Sequence, residues 1–145
     1  MIKCELVGQI SNSKNNPVIT SASAVKNYTF MTVDGVLYLI ANTVSGDDSY
    51  VDDVTFAAGE YLNGFQVDAW AGQKLVIDER HIAYGSGESF ASLTAGTTLL
   101  TVDSDGNLAI AENAPASGVY FKVTDKMTGI GGNRIKAKVM VVDAT

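Results

Sequence analysis

Residues 28–42 read YTFMTVDGVLYLIAN, and the Asp34-Gly35 pair near their centre decides the fold. Asp-Gly supplies the positive φ angles that a two-residue hairpin turn demands. β-branched and aromatic residues flank it on both sides, the composition of strands. The run Val36-Leu37-Tyr38-Leu39-Ile40 is apolar at every position, which suits a central strand covered on both faces. With two residues in the loop, Tyr28, Phe30 and Ile40 are expected to face one way.

The same grammar recurs along the chain. Asp103-Ser104-Asp105-Gly106-Asn107 separates strand-like residues 98–102 from 108–110. Residues 119–124 and 135–142 read as two further strands, joined by the glycine-rich residues 127–133. Residues 54–56 form a short strand before the turn Ala58-Gly59-Glu60. Residues 62–71 are expected to alternate, with Phe65, Val67 and Ala69 on one face and Gln66, Asp68 and Trp70 on the other. Gly72-Gln73 turns the chain into a strand over 74–77. Residues 89–93 are the one stretch that reads as helical. Strands at this spacing indicate an all-β chain, a small antiparallel β-barrel or β-sandwich. Residues 28–145 read as a single β domain. Residues 1–27, with the polar loop 11–16 closed by Pro17, read as an N-terminal arm or as a first strand of the core.

Composition narrows the function. A chain of 145 residues is long enough for one core without covalent staples. Its single cysteine, Cys4, excludes an intrachain disulfide and fits a reducing compartment. The formal net charge is −6, so the molecule repels polyanions and nucleic acid is not an expected partner. Arg134, Lys136 and Lys138 lie at alternate positions and share a strand face. They are a solvated surface or a contact for an acidic partner. The first residues lack the apolar core of a signal peptide, and no apolar stretch approaches the ~20 residues of a membrane helix. Asn27-Tyr28-Thr29 matches a glycosylation sequon by chance, since nothing else marks the chain for secretion.

Chemistry-bearing residues are sparse. His81 is the only histidine and follows Asp78-Glu79-Arg80 in a polar corner. A surface imidazole beside a carboxylate is the expected placement. No CxxC, HExxH or GxSxG occurs. The Asp103–Asn107 segment fails the EF-hand spacing, because glycine stands fourth and Ala114 occupies the place of the bidentate glutamate. It reads as a turn held by side-chain-to-backbone hydrogen bonds. The glycines before Asn133 lead into a strand rather than a helix N-terminus, which argues against a phosphate loop. Acidic Asp47, Asp48, Asp52 and Asp53 read as a solvated loop. No catalytic, cofactor or metal set is expected, and the chain does not read as an enzyme. Tyr61, Phe65 and Trp70 cluster in sequence as core, subunit interface or sugar-stacking platform.

Four stretches go further. Val54-Thr-Phe-Ala-Ala-Gly-Glu-Tyr-Leu-Asn-Gly-Phe65, Gln73-Lys-Leu-Val-Ile-Asp78, Val119-Tyr-Phe-Lys-Val-Thr-Asp-Lys126 and Ile135-Lys-Ala-Lys-Val-Met-Val-Val142 follow one another in a style and order that resembles bacteriophage head decoration (cement) proteins. The resemblance implies a β-barrel or tulip-like fold and no catalytic residues. It implies a homotrimer on the virion surface, made in the bacterial cytoplasm, that binds the major capsid protein through an N-terminal arm or the barrel base. On that reading Ile2, Cys4, Leu6, Tyr61, Phe65, Trp70, Arg134 and Lys136 are the interface candidates. No small-molecule substrate, cofactor or membrane enters it. The alternative is a carbohydrate- or receptor-binding β module of a phage tail or spike, with the aromatic trio exposed.

Overall fold

The computed structural model describes residues 4–6, 17–42, 54–127 and 136–144, with backbone only at 4–6 and 136. The chain is all-β. Among the described residues twelve strands run in order: β1 (Cys4–Leu6), β2 (Val18–Ile19), β3 (Val25–Lys26), β4 (Phe30–Val33), β5 (Val36–Ile40), β6 (Thr55–Phe56), β7 (Leu62–Gln66), β8 (Lys74–Asp78), β9 (Leu99–Val102), β10 (Leu108–Ala111), β11 (Val119–Met127) and β12 (Lys136–Asp143). They form a curled six-stranded sheet in the order β1-β8-β12-β11-β9-β10, a four-stranded sheet β2-β7-β5-β4 and the pair β3-β6. Every strand pair is antiparallel. A parallel bridge between Ile82 and Leu108 sets the chain just beyond β8 against the edge of β10 and tightens the curl.

The inner face of the large sheet is a lattice of fully buried side chains. Val139 lies between Val123 and Leu75, and Phe121 between Val141 and Leu100. Strands are expected at 119–124 and 135–142, and the described residues there alternate with period two. β11 runs past the expected end at 124 to Met127. After Val123 its register against β12 shifts by one residue, and Asp125 pairs with Lys138. This β-bulge lets the strand continue while its side chains change face.

The Asp34-Gly35 hairpin forms as expected. Asp34 and Gly35 hold φ of 51° and 79°, and Val33 pairs directly with Val36. One part of the reading is corrected. Phe30 pairs with Leu39, and both enter the main core with Leu37. Ile40 is on the opposite face, in a second cluster with Ile19, Val25 and Leu62. The two-residue loop makes 30 and 39 opposite partners, so 30 and 40 cannot share a face. β5 is therefore an interior strand with a core on each side, as its apolar run requires.

Residues 62–71 are also corrected. The strand ends at Gln66, and Val67–Trp70 form a 3₁₀ turn that buries Val67 and Trp70. Beyond it Gly72 donates to the Val141 carbonyl at 2.8 Å, and the Val141 N–H donates to Gln73 O at 2.9 Å. The turn thus carries the chain from the four-stranded sheet onto β12. The expected helical scrap at 89–93 is a 3₁₀ turn over Phe90–Ser92, and another 3₁₀ turn covers Glu79–His81.

Candidate functional site

An open groove of about 810 Å³ lies beside β4. β4 is the last strand of its sheet, so one backbone edge faces the groove. One wall comes from residues 21–26, including Ser21, Ser23 and Lys26. The other comes from the β9–β10 turn around Asp105, and Arg80 also lines the space.

Each border has a local cause. Asp103 accepts hydrogen bonds from the N–H groups of Asp105 at 2.9 Å and Asn107 at 3.0 Å, as the turn reading of this segment anticipates. Gly106 adopts φ of 80°, and a Cβ there would meet the Thr29 side chain and the Phe30 carbonyl oxygen. That close approach lets the Phe30 N–H donate to Gly106 O at 3.0 Å, fastening the turn to the start of β4. On the other wall Ser21 Oγ accepts from the Ser23 N–H at 3.2 Å. Arg80 is held by Asp78, whose Oδ1 accepts from Arg80 Nε and from its backbone N–H, each at 3.0 Å. Asp78 is buried, while the Arg80 side chain stays about a third exposed.

His81 corrects the surface reading of the 78–81 corner. It is 0% exposed, and its ring packs 4.9 Å from that of Phe30, which in turn lies 5.3 Å from Phe121. The 3₁₀ turn points His81 inward between the two sheets, a reversal that polar neighbours in the sequence cannot signal. Tyr84 follows it. Its hydroxyl is buried without a hydrogen-bond partner among the described residues. Burial, together with the negative charge of Glu79, raises its pKa above the ordinary tyrosine value.

The interface candidates fall in different places. Trp70 is 5% exposed and its ring stacks 6.3 Å from that of half-buried Phe65, so both pack with the main core. Tyr61 is 77% exposed. The three rings therefore do not form one exposed stacking platform. The backbones of Cys4 and Leu6 pair with Ile77 and Leu75, and that of Lys136 with Asp78. Ile2 and Arg134 lie outside the described residues, as do the acidic loop Asp47–Asp53 and the glycines before Asn133.

Asn27, the sequon residue, is 0% exposed. Its Oδ1 accepts from Asn42 N at 3.0 Å and its Nδ2 donates to Asn42 O at 3.1 Å. A side chain so engaged is not a glycan acceptor in the folded protein. Among the described residues no group of three or more His, Cys, Asp or Glu side chains is arranged to hold a metal. Among them, too, no helix is long and apolar enough to cross a membrane.

Compared with known proteins, the chain matches no family model, no curated protein and no solved structure.

Proposed function

We propose that the chain is a structural protein of a bacteriophage head, a trimeric decoration protein that binds the major capsid protein on the outer surface and stabilises the shell. The observation that carries this reading is where the four resembling stretches fall. Stretch 73–78 holds β8, 119–126 holds most of β11, and 135–142 holds most of β12. These three strands are neighbours at the centre of the large sheet, in the order β8-β12-β11. Stretch 54–65 holds β6 and most of β7. The likeness therefore covers the structural heart of the molecule rather than scattered surface.

The physical demands of the role agree. A cement protein must be stiff, and it must offer backbone edges or apolar patches to neighbouring subunits. The stacked, fully buried rows of the large sheet supply stiffness, and among the described residues β2 is an end strand of its sheet. Exposed Val18 and Tyr61 sit on and beside the β2 edge.

Phage shells stripped of accessory protein provide the test. Bound chain at a fixed copy number, with a rise in the temperature at which the shells release DNA, is the expected result. Light scattering of the free chain is expected to give three times the chain mass. Shells that neither take up the protein nor gain heat resistance would overturn the reading.

A further inference from the structure

We propose that the groove beside β4 binds an extended peptide segment of a partner protein as an added strand of the four-stranded sheet. The inference rests on the backbone of β4 and stands apart from the capsid reading.

In a two-residue hairpin the residues flanking the turn form a hydrogen-bonded pair, and bonding alternates from there. Val33 and Met31 therefore point their N–H and C=O groups at β5, opposite Val36 and Tyr38. Phe30 and Thr32 point theirs away, into the groove. The Phe30 N–H confirms the phase, because it donates outward to Gly106 O at 3.0 Å. Thr32 is the next outward position. Its N–H and C=O have no partner among the described residues, and both face a space large enough for a ligand. The molecule's own β9–β10 turn has thus begun strand-like bonding to this edge and stops one step short.

The surroundings select the occupant. The groove has two walls and about 810 Å³ of space, room for an extended chain. Its lining is polar. Ser21, Ser23, Thr29 and Thr32 supply hydroxyls, Lys26 and Arg80 are cationic, and Asp105 is anionic. Among the described residues Phe30 is the only aromatic one in the lining, and it is buried, so they offer a sugar no ring to stack on. Main-chain hydrogen bonds give such a site its affinity, and the hydroxyls tolerate varied polar side chains.

The test selects ten-residue peptides from a randomised displayed library on the immobilised full chain. Enriched peptides are then resynthesised with a single backbone N-methyl at each position in turn. Binding should fall at least tenfold when the one residue that pairs with Thr32 is methylated, and hold when either of its neighbours is. Thr32→Pro removes the outward donor where an edge strand tolerates proline, and is expected to abolish binding with little change in melting temperature. Ser23→Trp fills the groove from its exposed wall and is expected to do the same without touching β4. Three results would overturn the proposal. One is enrichment that both variants retain. Another is an N-methyl scan in which no single position is sensitive, or in which two adjacent positions are. The third is a concentration-dependent dimer abolished by Thr32→Pro, which would assign the edge to a second copy.

Discussion

Gly106 shows how much one residue can decide. Its φ of 80° is costly for any side chain, and the space a Cβ would need is already filled by Thr29 and the Phe30 carbonyl. Gly118 is the control, with φ of 88° and nothing within 4 Å of its would-be Cβ. The left-handed backbone alone costs about 1–2 kcal/mol. Gly118→Ala should cost that much, and Gly106→Ala about 1–3 kcal/mol more from overpacking. Urea midpoints for the two variants read the difference directly. Tyr84 gives a prediction in pH. Its folded-state pKa is raised, so the neutral ring is the form the fold prefers. The stability linked to that preference is fully present below the unfolded value near 10, and is lost as pH rises through the folded pKa. Tyr84→Phe removes a buried hydroxyl that lacks a partner, so it should be neutral or slightly stabilising at pH 7. It should also flatten the alkaline fall in melting temperature, which a pH series of thermal melts measures. The Asp103 turn was legible because a side chain that bonds its own backbone is a local event. The placement of His81 was not, because burial depends on which distant surface a turn faces.

At the scale of elements, the Asp34-Gly35 and Asp103–Asn107 hairpins could be read because their turn chemistry lies within a few residues. The 3₁₀ turn at Val67–Trp70 could not, since Phe65-Gln66-Val67-Asp68-Ala69-Trp70 alternates as well as any strand. Packing of Val67 and Trp70 into the core overrides that pattern. Joints between elements were equally hidden. Asn27 and Asn42 tie three elements together. Asn27 N donates to Val54 O at 2.9 Å, its side chain satisfies both backbone groups of Asn42, and Asn42 Nδ2 donates to Tyr61 O at 3.0 Å. The Asn42 Oδ1 also accepts from Asn63 N at 2.6 Å. The ends of β3, β5 and β7 are pinned in this way by two amides. Asn27→Asp keeps the size of the side chain but turns a donor into an acceptor facing Asn42 O, in a buried site. It should cost about 2–4 kcal/mol, more than an exposed asparagine would, because an unmet buried carbonyl and a buried charge add. Chemical denaturation at pH 7 tests it, and recovery of part of the loss at pH 4, as the carboxyl takes up a proton, identifies the charge as the cause.

For the whole molecule, side-chain alternation tells which residues point inward but not which strand lies beside which. The neighbours β8 and β12 are separated by β9, β10 and β11 in sequence, and β12 separates β8 from β11 in space. Only hairpins such as β4–β5, β9–β10 and β11–β12 pair locally. Every other join closes a long loop before any contact rewards it, so refolding should be slow for the size, in milliseconds to seconds. β12 is the decisive strand. Its Val139 and Val141 are fully buried, and it hydrogen-bonds β8 on one side and β11 on the other. Val139→Ala removes two methyl groups between Val123 and Leu75, and should cost about 2–3 kcal/mol while the cooperative melt survives. Ending the chain at Met127 removes the strand itself. β8 then loses its long partner, and the inner faces of β8 and β11 lie open to water. That chain should show no cooperative thermal transition and should bind a hydrophobic dye. A truncated chain that still melts in one sharp step would mean that β8 and the four-stranded sheet fold without the centre of the large one.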